Sequence, residues 1–388
     1  MRKTVILSAI LLASQFITGE LKANDGVYYT SGNTLIPLVE TDLQVQKEIL
    51  TISIGDNPDA AVDVYYEFLN PTNQPKSVRM GFEAAPSYAA ACEEPGINSA
   101  HPFIYDFKVE FNGAELKYQN ALAWDKSLDF ITKKDLETWK MDGWESSMFS
   151  EQYPDSARSF AYVYYFDVTF KPGVNRVHHT YRYKMSETIG TTFEVPYRLT
   201  PASRWAGGCI GDFTLNINVP KTAKHFFADC SSLVGIEPKV TDGMGKFRRG
   251  LAPESDQEIS SMEISLRNGT LTWHALNFVP DNDLYIFSAD VHTTFNSEAQ
   301  LGAFYDRTNT RQLNSPYIDE NEVRDELPED FRKAVTRNLP YAHRGRIFKR
   351  KDLDKYFRSL WWYMPDPNYT DDSSDFTDAD WYYVRHGK

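Results

Sequence analysis

Cations and aromatic rings are concentrated in one stretch near the C-terminus, from Arg337 to Tyr369. Guanidinium groups pair with anions, and flat aromatic faces accept sugar rings or peptide side chains. We predict that the following residues of this stretch bind a ligand: Arg337, Tyr341, His343, Arg344, Arg346, Trp362 and Tyr363. The chemistry expected of such a set is non-covalent binding.

The charge of this stretch contrasts with that of the chain. The chain carries a formal charge of −13, which argues against nucleic acid as a partner. Residues 332–358 hold ten Lys and Arg against Asp352 and Asp354, leaving about +8. Three interpretations stay open: contact with an anionic polymer of the cell envelope, docking on an acidic surface of the chain itself, or a solvated helix face.

Catalytic motifs are missing from the sequence. It contains no Gly-x-Ser-x-Gly elbow, no His-Glu-x-x-His, no phosphate-binding loop and no Cys–His signature. Glycoside hydrolysis needs two carboxyl groups across a cleft, but with 54 acidic residues such a pair carries no information. We predict no catalytic residue and no cofactor, and an envelope hydrolase remains the alternative.

Metal binding is not indicated either. His178 and His179 are neighbours on a predicted strand and point to opposite faces. The Asp-rich tail from Asp366 to Asp380 lacks the glycine and terminal glutamate of a calcium loop. The three cysteines, Cys92, Cys209 and Cys230, have no close ligand spacing, and they allow either one disulfide in any of three pairings or three thiols.

A helix is needed to position the candidate residues. Leu353, Tyr356, Phe357, Leu360 and Trp361 recur at helical spacing, which predicts a helix from about Arg350 to Trp362. Each buried side chain of the stripe is worth about 1.5–3 kcal/mol, so the helix needs packing partners. The expected partners are Tyr341, Ile347, Phe348 and Tyr363. Pro340 predicts that the preceding helix ends near Asn338.

These residues also carry a family resemblance. From about residue 325 to 386 the sequence resembles the YARHG domain family, and the Ala-Arg-His-Gly order of its signature reads Ala342-His343-Arg344-Gly345 here. The matching positions are Arg337, Asn338, Tyr341, Ala342, Gly345, Arg346, Ile347, Phe348, Leu353, Tyr356, Phe357, Trp362, Tyr363, Asn368 and Tyr369. The resemblance implies an extracellular helical module that associates with peptidoglycan or other cell-wall material, without catalytic chemistry.

The N-terminus is typical of an exported protein. Arg2 and Lys3 precede an apolar run from Val5 to Ile17, and Leu21-Lys22-Ala23 fits a cleavage site. The run is too short to span a bilayer, and no cysteine follows the cleavage site to carry a lipid. We predict a signal peptide at residues 1–23 and a periplasmic or secreted protein that is not a lipoprotein.

The region between the signal peptide and the C-terminal module has the pattern of strands. Apolar and polar residues alternate in short segments separated by turn signals, and 23 Tyr and 24 Phe favour strands. We predict a mainly β fold: an aromatic-rich antiparallel β-sandwich body followed by a small α-helical module. The predicted domains are the body at residues 24–305 with a mixed insertion at about 120–158, a linker at 306–321 and the module at 322–388.

Four local predictions concern the body. Asn112-Gly113 and Asn268-Gly269 are expected to be tight hairpin turns. Residues 132–140 are expected to form a helix, and Lys246 to Arg249 an exposed loop between glycines. No segment of the body suggests an internal repeat.

The body has a second, weaker resemblance. Tyr197-Arg198-Leu199, Trp205, Gly211 and the early run from Leu35 to Thr41 are similar to envelope proteins of the DUF4424 type. This resemblance implies a two-sheet region and no known activity.

Together these observations predict an exported, non-enzymatic cell-envelope protein whose C-terminal module binds peptidoglycan or another surface glycan. The alternatives are an envelope hydrolase acting on glycan, and a module that is purely structural and docked on the sandwich.

Overall fold

The computed structural model describes residues 35–37, 42–55, 59–84, 96–124, 129–141, 160–188, 191–219, 224–250, 261–287, 328–360, 363–376 and 378–386. Within these residues the chain forms mostly strands, which confirms the predicted mainly β fold. The strands are β1 (Leu35–Pro37), β2 (Gln44–Ile54), β3 (Asp59–Asn70), β4 (Lys76–Ala84), β5 (Ile104–Phe111), β6 (Ala114–Glu115), β7 (Gln119–Trp124), β8 (Phe160–Phe170), β9 (Gly173–Lys184), β10 (Ser186–Thr188), β11 (Thr191–Tyr197), β12 (Ile210–Val219), β13 (Lys224–Asp229), β14 (Lys239–Gly250), β15 (Ser261–Phe278) and β16 (Leu284–Phe287).

Two sheets build the body. The larger has the order β10-β11-β16-β13-β15-β12-β2-β3-β9-β5-β6, with β14 paired to β15, and the smaller has the order β1-β4-β8-β7. All described pairs are antiparallel except β2 with β12, which run parallel. An all-antiparallel body was the expectation, and this pair departs from it. Alternation of apolar and polar residues indicates a strand but not the direction of its neighbour, so the sequence pattern could not show the parallel pair.

Aromatic side chains fill the space between the two sheets. Phe82 of the smaller sheet lies 5.1 Å from Phe107 and 4.9 Å from Tyr181 of the larger sheet, measured between ring centroids. Phe170 meets Phe68 in the same way, at 5.6 Å. Alternate residues of β2, β3 and β9 are buried, as expected for strands with one face in a core. The interior is therefore the aromatic-rich sandwich core that the composition predicts.

The Asn112-Gly113 hairpin is confirmed. Both residues have positive φ, 50° and 82°, as a two-residue turn between β5 and β6 requires. The helix predicted at residues 132–140 is also present, as α1 (Lys133–Met141).

The hairpin predicted at Asn268-Gly269 is wrong. Asn268 has a φ of 44°, but the chain continues as the single strand β15. Gly269 instead permits a close backbone approach: a side-chain carbon there would lie 2.4 Å from the Asp242 carbonyl oxygen of β14. The exposed loop predicted at Lys246 to Arg249 is likewise wrong, since these residues belong to β14, which is irregular on both sides of Asp242.

Three helices form the C-terminal module: α2 (Glu329–His343), α3 (Lys351–Ser359) and α4 (Asp378–His386). The prediction that the first of them ends near Asn338 is wrong, because α2 continues through the buried Pro340. Packing of α2 against α4 and α3 compensates for the helical hydrogen bond that Pro340 cannot donate. α3 is shorter than predicted because Leu360 leaves the helix in an extended conformation.

The stripe of α3 packs largely as predicted. Leu353, Phe357 and Leu360 are buried in one cluster with Phe348 and Tyr363, while Tyr341 and Tyr356 pack against it half-buried. The Phe348 and Phe357 rings stack with centroids 4.6 Å apart. The expected partner Ile347 is 44% exposed and does not join the core.

Several predictions fall outside the described residues: the signal peptide at 1–23, the linker at 306–321, Cys92, Trp361 and Trp362. Cys209 and Cys230 are free thiols. In the described part of the chain, no helix is both long enough and apolar enough to cross a membrane.

Candidate binding site on the C-terminal module

Arg344, one of the predicted ligand contacts, is buried within the module. Its Nη2 lies 2.9 Å from Asp380 and its Nε 3.2 Å from Asp375, while Nη1 donates to the Pro340 carbonyl oxygen at 3.0 Å. The guanidinium also lies 4.4 Å above the Phe376 ring. Because these partners surround the cation, Arg344 holds the C-terminal tail against α2. Its side chain is therefore not exposed to a ligand, contrary to the prediction.

Arg346 lies at the surface of the module, at the corner that the chain forms after the end of α2. Its guanidinium is 4.9 Å from the centre of the Tyr341 ring and 3.4 Å from Asp371. Arg346 and Tyr341 are both half-buried. A cation stacked on a tyrosine remains close enough to solvent to meet a ligand.

Tyr363 belongs to the core of the module. Its side chain is 2% exposed, and its hydroxyl donates to the Arg346 carbonyl oxygen at 2.5 Å. Burial raises the pKa of Tyr363 to about 12, so the hydroxyl keeps its proton. Tyr363 therefore fixes the corner from inside rather than contacting a ligand.

The remaining candidates are less constrained. Arg337 is exposed on α2, and His343 is half-buried in its last turn, where a basic side chain is favoured by the helix dipole. The structure thus brings Tyr341, Arg344 and Arg346 together at one corner and leaves Arg337 outside it.

The positive charge of residues 332–358 is compensated within the module. Residues 323–388 contain thirteen Lys and Arg and twelve Asp and Glu, a net charge near +1. The Asp-rich tail supplies partners to Arg344 and Arg346, and Asp354 supplies one to Arg358 at 2.8 Å. The module therefore does not have a uniformly basic surface.

A shallow cleft of about 510 Å³ remains along α3. Its lining residues are Phe348, Lys351, Asp354, Lys355, Arg358 and Ser359. Lys351 and Lys355 are exposed and one helical turn apart, and no salt bridge to either is found among the described residues. The cleft thus combines two exposed ammonium groups with the small exposed part of Phe348, whose ring is mostly buried against Phe357. The sequence indicates these lysines only through the helical spacing of α3.

The module is attached to the body through an arginine of β15. Arg267, 6% exposed, donates from Nη1 to the Arg344 carbonyl oxygen at 2.8 Å and from Nη2 to the Met364 carbonyl oxygen at 3.2 Å. Asp366 is 3.3 Å from the same guanidinium. Lys246 of β14 donates to the Tyr363 carbonyl oxygen at 3.1 Å. These cations come from the body, the opposite of a basic module docking on an acidic sandwich.

Gly345 makes this close contact possible. It has a φ of 86°, and a side-chain carbon at this position would lie 2.7 Å from Nη2 of Arg267. The glycine of the signature thus serves both the turn after α2 and the approach of the body's arginine.

Glu48 and His179 are buried inside the sandwich, and no ion pair to either is found among the described residues. Glu48 of β2 faces Tyr66, its partner on β3, and burial raises the pKa of Glu48 to about 8. His179 of β9 lies between aromatic rings, and burial, assisted by His178, lowers its pKa to about 3. Both side chains are therefore uncharged near pH 7.

Known families match both parts of the chain. The described fold is that of a mainly β body with a docked helical module. The family model of the YARHG domain matches residues 323–388, and that of a domain of unknown function, DUF4424, matches residues 23–125. The chain thus carries a C-terminal YARHG domain, a domain that occurs in extracellular proteins. No curated protein matches the sequence.

Solved structures add information on the fold alone. A protein of Legionella pneumophila, provisionally named a nutrient binding protein, has a TM-score of 0.51 at 19% identity, over 94% of this chain and all of that one. An M1 zinc metallopeptidase from Deinococcus radiodurans reaches a TM-score of only 0.24 at 11% identity, over 65% of this chain and 43% of its own.

Proposed function

We propose that this chain is an exported, non-enzymatic protein of the cell envelope, and that its YARHG module binds peptidoglycan or a related surface glycan through the cleft along α3. The observation that supports this most directly is the pair of exposed ammonium groups, Lys351 and Lys355, beside the ring of Phe348. Peptidoglycan offers carboxylates on its peptides and sugar rings in its strands, and the cleft has groups for both.

The body is the support for this site. Arg267 and Lys246 bond to carbonyl oxygens at the corner of the module, on backbone around residues 344 and 363–364. These oxygens belong to Arg344, Met364 and Tyr363, and none of these residues lines the cleft. The module can therefore remain docked while the cleft meets a polymer, and the predicted contacts Arg346 and Tyr341 lie at the corner next to α3.

The test is a pull-down of the full-length protein on insoluble peptidoglycan at 50 and 300 mM salt. We expect binding that weakens with salt, because the ammonium groups meet carboxylates. The double variant Lys351→Glu, Lys355→Glu should reduce the bound fraction at least fivefold at low salt. The matched control is Lys108→Glu, Lys117→Glu, a double charge reversal at exposed positions of the body, which should bind like the parent.

Two outcomes would overturn the proposal. One is a folded parent protein that does not bind peptidoglycan at low salt, which would favour the module as a structural clasp on the sandwich. The other is an equal loss of binding in both double variants, which would assign the effect to overall charge. Release of soluble glycan fragments during the incubation would support the hydrolase alternative instead.

A further inference from the structure

A second cleft lies on the body, at the end of the larger sheet where β2 and β12 begin. Its volume is about 600 Å³, within the range of small-ligand sites. It is lined by residues of four neighbouring strands, β3, β2, β12 and β15, and by the segment before β12 that contains Gly207 and Cys209. Neither the YARHG match nor the proposed module site extends to these residues.

The parallel pairing explains why the sheet is open here. Two parallel strands begin at the same end of a sheet, so the chain cannot join them by a tight hairpin. Residues 42–43 and 205–209 enter β2 and β12 separately and meet through a hydrogen bond from the Ala206 amide to the Leu43 carbonyl oxygen, 3.0 Å long. Gly211 keeps the strands close below the cleft, since a side-chain carbon there would lie 2.8 Å from the Gln46 carbonyl oxygen.

Each carboxylate of the cleft has a cationic partner: Lys47 for Asp212, and Arg176, 3.5 Å away, for Glu67. Lys47 Nζ donates to Asp212 at 3.0 Å, and His274 Nε2 lies 2.8 Å from the other oxygen of the same carboxylate. The bond from Lys47 holds the pKa of Asp212 below its usual range, so this carboxylate is ionised. On the other side, Glu67 accepts a hydrogen bond from the Tyr65 hydroxyl at 2.7 Å.

The uncharged lining residues are amides. Gln44, Gln46 and Asn277 each carry a donor and an acceptor, and Asn277 holds its position with a φ of 52°. Because both carboxylates are already paired with cations, a charged ligand of either sign would have to displace one of these partners. A ligand that donates and accepts through adjacent hydroxyls, without net charge, matches the set.

We propose that this cleft binds a small neutral saccharide, whose hydroxyls bond to the amides of Gln44, Gln46 and Asn277 and to the remaining lone pairs of Asp212 and Glu67. The site is independent of the cleft on α3, so each can fail or succeed alone.

Cys209 provides a reporter inside the cleft. The experiment uses the full-length chain with Cys92→Ser, so that Cys209 is the reactive thiol. Cys230 is buried, and burial raises the pKa of its thiol to about 12, which suppresses its reaction. The rate of alkylation by iodoacetamide is measured with glucose, N-acetylglucosamine, glucose 6-phosphate or glucosamine, and calorimetry supplies an independent affinity.

We expect at least one of the two neutral sugars to slow alkylation of Cys209 fivefold or more at saturation. At the same concentration the phosphorylated and amino sugars should change the rate less than twofold. Asn277→Gly keeps the backbone conformation and removes the amide, so it should weaken binding of the neutral sugar at least tenfold. Asn268→Gly is the matched control, an exposed asparagine with the same positive φ that does not line the cleft.

Three results would overturn the proposal: no protection and no heat with either neutral sugar, equal protection by the charged sugars, or equal affinities of the Asn277→Gly and Asn268→Gly variants. Peptidoglycan binding by Asn277→Gly, measured in the same pull-down as above, should equal that of the parent protein. This separates the body site from the module site.

Discussion

The body and the module bury ionisable side chains in opposite ways. In the body, Glu48 and His179 lie among apolar and aromatic neighbours, and burial keeps both uncharged near pH 7. In the module, Arg344 is 6% exposed and is paired with Asp375 and Asp380. The sheets of the body surround a buried group with aromatic rings from distant strands, whereas the short module brings its own acidic tail to a buried cation. The comparison teaches that the neighbours of a buried ionisable group decide how the cost of its burial is offset.

The largest effect is expected when the module loses its buried cation. Arg344→Met would remove the cation that pairs with Asp375 and with Asp380, whose side chain is 14% exposed, and would release the tail from α2. We expect a loss of about 3–5 kcal/mol in the free energy of unfolding of the module. Urea unfolding together with hydrogen exchange of α4 measures it.

The control is Arg350→Met, which breaks an ion pair between side chains that are half-exposed. This change should have little effect on the free energy of unfolding, because exposed ion pairs are screened by solvent. Equal losses in the two variants would mean that the contrast between body and module is not one of buried charge.

The second prediction removes the ionisable group from the body. The pKa of Glu48 is about 8 in the folded chain against 4.5 for a free side chain, so between these values the folded state binds a proton that the unfolded state has lost. The contribution of Glu48 to the free energy of unfolding should therefore fall as pH rises from 5 to 8, by on the order of 3 kcal/mol. His179, whose pKa is about 3 in the folded chain against 6.5 for a free side chain, opposes this fall between pH 5 and 6.5. Glu48→Gln removes only the first contribution, so the difference in stability between the variant and the parent should change by about this amount between the two pH values, measured as urea midpoints. If the parent and the variant show the same pH dependence, Glu48 is not the neutral buried acid described above.

The smallest effect concerns the contact between the two regions. Arg267→Met should weaken docking by about 2 kcal/mol, because three hydrogen-bond acceptors of the module lose a charged donor. Hydrogen exchange at residues 344–346 and 363–366 should accelerate while exchange in β2 and β3 is unchanged. Arg79→Met, at an exposed pair with Asp167, serves as the control. Unchanged exchange at the corner would show that the module is held by other contacts.

Much of the body could be predicted from sequence because the signals are local. Alternation identified most strands, and Asn112-Gly113 identified a hairpin from two residues. Asn268-Gly269 carries the same local signal but lies opposite the bulge at Asp242 and Gly243 in β14. Pairing with β14 therefore keeps these two residues within β15, and no hairpin turn forms. The parallel pair of β2 and β12 has no local signal at all.

The candidate site was predicted less well for a related reason. A count of cations within residues 332–358 omits the acidic residues of the tail, which the fold brings back to Arg344 and Arg346. The prediction that α2 ends before Pro340 was wrong because packing around α2 offsets the hydrogen bond that proline cannot make. The helical spacing, by contrast, correctly indicated which face of α3 is buried, and hence which lysines are exposed.

The pairing of β2 with β12 also has a consequence for how the chain acquires its structure. Lys47 and Asp212, which meet across these strands, are separated by 165 residues. Such non-local pairing raises contact order and slows folding, since a long loop must close before the contacts form. The segment matched by DUF4424 ends at residue 125, so it lacks the neighbour of β2 on one side. A chain emerging N-terminus first would therefore leave one edge of β2 unpaired until more than two hundred residues had emerged.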